Sequence, residues 1–337
     1  MARFTTTQGR AMPDLTRLSG GKFLVVGRAG MDLYADPPGT RTEEAEHFFA
    51  SLGGSSANIA VALKRQGMEA ALLTCVSDDA IGRFCLNQLH RYGIDCRHVR
   101  AVGGEARNSL AVVESRVINH QSVIYRNGAA DFEMTVADVE AVDYAAYSAL
   151  ITTGTALAAE PSRSAVLRAF HLARAAGLPL ILDLDYRPYS WPSADIAAAV
   201  YAQASDLCDI LVGNDTEFGV LAGDDAHGLA KARALAHSGA AIVIHKLGEK
   251  GAITFTGGRE IHTGVFQTKA LKPTGAGDSF LGAFVAALVA GRSVEAAVIR
   301  GAAAAAIVVA RIGCAPAMPT TDEVDRFMAC HAPPIMS

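Results

Sequence analysis

The sequence predicts an α/β protein with a mostly parallel central sheet, helices on both of its faces and a small β lid. Three observations carry that prediction. Short uninterrupted apolar runs, such as Phe23-Leu-Val-Val26 and Leu180-Ile-Leu182, alternate with stretches of helical periodicity. That alternation marks strands buried on both faces and joined by crossover helices. Several of the runs end in glycine, asparagine or a charged residue, where open α/β sheets gather ligands. Residues 107–126 break the pattern with two strand-like runs about a polar turn at Asn119-His120, which reads as a hairpin lid.

Taken in order, residues 1–20 read as a loose extension. The first strand ends in Gly27-Arg28-Ala29-Gly30-Met31-Asp32, which places Asp32 just past a strand end. Residues 35–50, with Pro37-Pro38-Gly39, read as an edge excursion or lid strand. Leu52-Gly53-Gly54-Ser55-Ser56-Ala57-Asn58 is a glycine-rich turn feeding a helix marked by Ile59, Ala60, Ala62 and Leu63. A strand over 70–76 and a helix over 81–92 follow, then the hairpin strands 110–113 and 122–125. The alternation resumes with strands over 149–153, 180–183, 209–212 and 241–245. Helices are expected over 161–176, 193–206, 215–222, 228–238, 278–290 and 294–311, and a hairpin near 252–266. No repeat or flexible linker divides the chain. One domain over 22–320 is expected, with lid segments near 35–50 and 105–128 and a terminal extension over 321–337.

Composition narrows the function. The chain is 50% hydrophobic, and 30 basic against 34 acidic residues give a net charge of −4. No basic field for nucleic acid results. The six cysteines (75, 85, 96, 208, 314 and 330) form no C-x-x-C pair, which argues against structural zinc and fits a reducing compartment. Residues 1–20 lack the apolar run of a signal peptide. The most apolar helix, Ala302 to Ala310 between Arg300 and Arg311, is too short for a bilayer. A cytoplasmic protein with no membrane partner is expected.

The chemistry concentrates in Lys272-Pro273-Thr274-Gly275-Ala276-Gly277-Asp278-Ser279-Phe280. Phe280, Phe284 and Leu288 recur at helical spacing after a loop that Pro273 and two glycines keep irregular. A helix N-terminus so presented offers unpaired N–H groups to phosphate. Asp278 in its first turn is placed to take a proton from a hydroxyl. Three further constellations sit at strand ends: Asp183-Leu-Asp185-Tyr-Arg187, Asn214-Asp215-Thr216-Glu217 and Lys246-Leu-Gly248-Glu-Lys-Gly251. Their common position argues for one crevice.

Gly53 to Asn58 and Thr274 to Asp278, in order and about 220 residues apart, resemble the two signatures of the ribokinase-like (PfkB-type) carbohydrate kinases. The resemblance covers roughly residues 22–320. It implies a three-layer αβα sandwich with a β lid, and ATP and Mg2+ as cofactors. By the same resemblance Asp278 is the catalytic base, and Gly275, Ala276 and Gly277 form the anion hole. Asp32, Gly54 and Asn58 bind sugar hydroxyls. Asn214 and Glu217 match an N-x-x-E motif that orders magnesium, mostly through water. Lys246, Gly248 and Gly251 match the nucleotide loop.

Other stretches, among them Gly27 to Tyr34, Tyr125 to Asp131 and Leu182 to Trp191, look closer to the branch that acts on a 2-deoxy-5-keto sugar acid in myo-inositol breakdown. An acid substrate wants arginine, and Arg126 and Arg187 are the candidates; an internal ion pair is the competing reading of Arg187. Where many family members have an aspartate that helps hold an activating potassium ion, this chain has Lys272. Its ammonium is expected to replace the ion, so potassium is not required. Exposed lid strands suggest a homodimer through the lid. Alternatives are 2-keto-3-deoxygluconate kinase or another sugar kinase of the family, a Rossmann oxidoreductase prompted by Gly27 and Gly30, and a non-catalytic sugar-binding protein on the same fold.

Overall fold

The computed structural model describes residues 14–332 and 334. Its central sheet has nine strands among the described residues: β1 (Lys22–Val26), β4 (Glu69–Ser77), β5 (Asp95–Val102), β8 (Ala149–Thr153), β9 (Leu180–Asp183), β10 (Ile210–Asn214), β11 (Ile242–Lys246), β12 (Ala252–Thr256) and β13 (Arg259–Thr263). In space they run β13-β12-β11-β10-β9-β8-β1-β4-β5. All neighbours pair in parallel except at one edge, where β12 and β13 form an antiparallel hairpin on β11. A second sheet, in the order β3-β2-β6-β7, contains β2 (Gly30–Asp36), β3 (His47–Gly53), β6 (Ser109–Val113) and β7 (Ser122–Tyr125). Its central pair, β2 and β6, is parallel and its outer pairs are antiparallel.

The apolar runs become strands because both faces of the central sheet are covered. Alternate residues Leu24, Val26, Leu150 and Leu182 join one core with α4 (Ser162–Ala175), α5 (Ala194–Ser205), α6 (Asp215–Ala222) and α7 (Gly228–His237). Phe23, Val25, Ile151 and Ile210 join the other, with α1 (Ser55–Arg65), α2 (Ala80–Arg91), α8 (Ala276–Val289) and α9 (Val294–Val309). Period-2 alternation between two helix layers is the three-layer sandwich expected.

Three expectations are corrected and one strand is added. Asp32 lies past the end of β1 as expected, but in the middle of a second strand and not in a strand-end loop: it is in β2, opposite Ser51, and belongs to the lid sheet. Strand β5, reading Asp-Cys-Arg-His-Val-Arg-Ala-Val, has no apolar run because it is a half-exposed edge strand carrying charges. The extension over residues 1–20 is in part regular: Leu15–Gly20 is a 3-10 helix with Leu18 buried, while residues 1–13 lie outside the described residues. The segment after 320 opens with α10 (Thr321–Cys330), whose Thr320 and Glu323 form a reciprocal capping box and whose Val324 is buried. The short helix α3 (Val136–Glu140) completes the set.

Candidate active site

Four central strands deliver their last residues to one edge. The register sets Thr153 beside Asp183 and Asn214 beside Lys246. Facing them are the N-termini of α1 and α8, and the lid sheet stands over the gap. Between these elements lies a cavity of about 430 Å3 lined by Asp32, Gly54, Asn58, Asp183, Asp185, Arg187, Asn214, Glu217, Lys246, Gly275, Gly277 and Asp278, among others. Residues from both ends of the chain thus meet in one space.

Helix α8 begins at Ala276, two residues earlier than expected, after Gly275 in the left-handed conformation at φ 83°. No side chain caps this terminus. Its first amides have no i−4 carbonyl to bind and carry the positive end of the helix dipole. Lys246 Nζ comes within 3.3 Å of where a Cβ on Gly277 would stand, so an ammonium adds to the same positive patch. Asp278 is in the first turn, and Asn58 Nδ2 donates to its Oδ2 at 2.9 Å. Burial raises the Asp278 pKa to about 7, with Asp185 adding to the rise and the Asn58 bond opposing it. The other Asn58 atom, Oδ1, is buried without a partner.

Asn214 and Glu217 form a reciprocal capping box on α6. The Asn214 amide donates to Glu217 Oε2 at 2.7 Å and the Glu217 amide to Asn214 Oδ1 at 3.0 Å. Burial pushes the Glu217 carboxyl up to about 7, against the pull of Lys246. Burial works against the charge of Lys246, but Asp183, Glu217 and Asp278 outweigh it and its pKa sits above the ordinary lysine value. Among the described residues no cluster of three metal-ligating side chains occurs. The oxygen donors Asp183, Asp185, Asn214 and Glu217 nevertheless suit a hard cation that keeps several waters.

Not every predicted residue reaches this cavity. Arg126 is buried behind it, paired with Asp131, donating to the Thr155 carbonyl at 2.9 Å and stacked over Phe132. Arg187 does line the cavity but is engaged by Asp185 at 2.7 Å. Gly248 and Gly251 lie in the loop after β11, outside the cavity lining. Gly251 has a packing reason to be glycine, since a Cβ would fall 1.8 Å from the Thr263 carbonyl oxygen.

The cavity also holds residues the sequence reading did not single out: Arg28, Tyr34, His120 and Cys314. Tyr34 Oη lies 3.0 Å from Cys314 Sγ and donates to Asp32 at 3.3 Å, a contact across 280 positions that no local pattern announces. Lys272 is fully buried, and its Nζ donates to the carbonyls of Thr274 at 2.6 Å and Val308 at 3.4 Å.

An αβα sandwich with a β lid over a helix N-terminus and a half-buried carboxylate defines a class, and the chain belongs to it: the model of the pfkB family carbohydrate kinases matches residues 21–321. Among curated relatives, the 5-dehydro-2-deoxygluconokinase of Photobacterium profundum is 37% identical over 310 residues, covering 90% of this chain and 94% of that protein. The enzyme of the same name from Bacillus subtilis is 33% identical over 315 residues, covering 92% and 96%. Among solved structures, fructokinase with bound ATP from Xylella fastidiosa superposes with a TM-score of 0.81 at 21% identity, covering 92% of this chain and 98% of that one. A putative ribokinase II from E. coli, in complex with ATP and Mg2+, gives 0.80 at 20% identity over 92% and 100%. At those identities the likeness is one of fold.

Proposed function

We propose that this chain transfers the γ-phosphoryl group of Mg-ATP to the terminal hydroxyl of a sugar acid, 5-dehydro-2-deoxygluconate, giving its 6-phosphate. The observation that carries the reading is the half-buried Asp278 carboxylate in the first turn of the uncapped helix α8, facing a cavity that also holds Lys246. The substrate follows from the shared name of relatives more than 30% identical over nine-tenths of the chain.

In this reading Asp278 accepts the proton of the attacking hydroxyl, and Asn58 orients that carboxylate while its free Oδ1 receives a sugar hydroxyl. Asp32 and the Gly54 backbone hold further hydroxyls. The amides of Gly275, Ala276 and Gly277, with Lys246, neutralise charge on the transferring group. ATP supplies the phosphoryl group; Asn214 and Glu217 would hold Mg2+, mostly through water, and the ion would balance the charge of the phosphates. Gly248 and Gly251 shape the loop beside the nucleotide. Lys272 supplies in covalent form the charge that a monovalent cation would bring to the Thr274 carbonyl. The outer lid strands β3 and β7 expose Phe48, Phe49, Val123 and Tyr125, which supports a homodimer through the lid.

The testing experiment is an ADP-release assay with Mg-ATP over 5-dehydro-2-deoxygluconate, 2-keto-3-deoxygluconate, fructose and ribose. Preference for the first by about tenfold in kcat/KM supports the reading, a difference of about 1.4 kcal/mol. Preference for the second reassigns the substrate within sugar acids, and preference for a neutral sugar removes the acid specificity.

A further inference from the structure

Arg28 lies in the turn that carries the chain from the central sheet to the lid. Its backbone is held on both sides. The Ala57 amide donates to the Arg28 carbonyl at 3.1 Å, and Gly54, at φ 92°, approaches so closely that a Cβ there would sit 2.5 Å from the same oxygen. The side chain lies in the cavity wall and is 8% exposed. One Nη donates to Ser109 Oγ at 3.1 Å, and Nε is buried with no partner. Among the described residues no carboxylate is within ion-pair distance of this guanidinium, whereas Arg126 and Arg187 are each engaged by an aspartate.

A buried cation without a paired anion is an expensive arrangement, because burial removes water and no carboxylate takes its place at the fork. Asp32 relieves it only in part: the Arg28 charge acts to lower that carboxyl, but the carboxylate stands beyond ion-pair distance and takes the Tyr34 hydroxyl at 3.3 Å. A guanidinium fork on a fixed backbone, with an unused donor edge in a cavity wall, is suited to an external carboxylate.

The distribution of charge says which end of the cavity such an anion occupies. Around Asp278 stand Asp183, Asp185 and Glu217, and the charges of Asp183 and Asp185 already help raise the carboxyls of Asp278 and Glu217. A substrate carboxylate there would meet four acidic side chains. The lid wall contributes one, Asp32, with neutral or basic partners in Ser122, His120 and Arg28. An acid whose terminal hydroxyl points at Asp278 carries its carboxylate at the opposite end of the carbon chain.

The geometry points to Arg28 as the residue that receives the carboxylate of the sugar acid, and so selects acids over neutral sugars, an inference that rests on the proposed kinase reading. Arg187, paired with Asp185 on the acidic side, serves the phosphoryl end, and Arg126 supports the wall from behind.

The test measures kcat and KM for wild type, Arg28→Ala, Arg28→Gln and Arg28→Lys. The substrates are 5-dehydro-2-deoxygluconate and the analogue in which its carboxylate is reduced to a primary alcohol. Arg28→Ala is expected to lose about 30-fold or more in kcat/KM on the acid, chiefly through KM, and to stay within about threefold on the alcohol. Arg28→Lys should recover part of the loss, and KM for ATP should hold in every variant. Equal losses on both substrates would assign Arg28 a structural role and overturn the inference. So would an Arg28→Ala enzyme that keeps its preference for the acid. If the alanine variant does not fold, Arg28→Gln reads the same ratio without leaving a cavity. Wild-type rates judge the activity separately: a wild type that prefers the alcohol removes the sugar-acid reading itself, and Arg28 with it.

Discussion

Asn58 Nδ2 donates to Asp278 Oδ2 at 2.9 Å, joining the first turn of α1 to the first turn of α8. The bond favours the ionised carboxylate, while burial favours the protonated one and prevails, leaving the pKa at about 7. A base must be deprotonated to act. The rate should therefore rise with pH through about 7, and Asn58→Ala should move that acidic limb upward by about one unit, the equivalent of roughly 1.4 kcal/mol. A kcat/KM profile from pH 5 to 9 checks it; an unmoved limb in the variant would detach Asn58 from the titration.

Asp278→Asn should lower kcat by about 10^3 while preserving the fold, within the range typical of a lost general base. The same substitution should stabilise the protein, with a sign set by the pKa. A carboxyl whose folded pKa is raised contributes stability below its unfolded pKa, and that contribution is lost as pH rises through about 7. Above that pH the ionised, partly desolvated group is a cost, which asparagine removes. The gain in Tm should be larger at pH 8 than at pH 5, as thermal unfolding in the absence of substrate will report.

Arg126→Ala should act on stability before activity. It leaves Asp131 buried without its cation and the Thr155 carbonyl without its donor. Breaking such a pair costs about 3 kcal/mol or more. Denaturant unfolding should show that loss, with the preference for acid over alcohol substrate intact.

Wild-type activity should change by less than about 1.5-fold between potassium-free buffer and 100 mM KCl, because the Lys272 ammonium already occupies the carbonyls of Thr274 and Val308. Lys272→Ala should lose activity and regain part of it with potassium. Strong activation of the wild type by potassium would sink the tethered-cation idea.

If the lid mediates a dimer, wild type should scatter light at twice the chain's mass. Phe49→Glu combined with Val123→Glu should reduce it to a monomer by placing unpaired charges on the two outer lid strands.

Much of this molecule was legible in its sequence alone. Uninterrupted runs such as Leu180 to Leu182 declare strands buried on both faces, because only a sheet covered by two helix layers tolerates them. The turn from Gly275 to Asp278 is equally local, since a helix start with a carboxylate in its first turn is written in a few adjacent residues. Tertiary structure alone decided which charges face the cavity. Arg126 looked like a ligand-binding cation until Asp131 and Thr155 closed on it. No local pattern marks Arg28, whose buried Nε is left unpartnered only by the packed fold. Asp32 reaches the cavity from the lid and not from the central sheet, a matter of pairing with Ser51 and Ala111. Whether a charge is engaged internally or left for a ligand depends on neighbours from distant segments, such as Val308 for Lys272 or Cys314 for Tyr34. Local periodicity carries no record of those meetings, because they arise only when the packed layers bring the segments together.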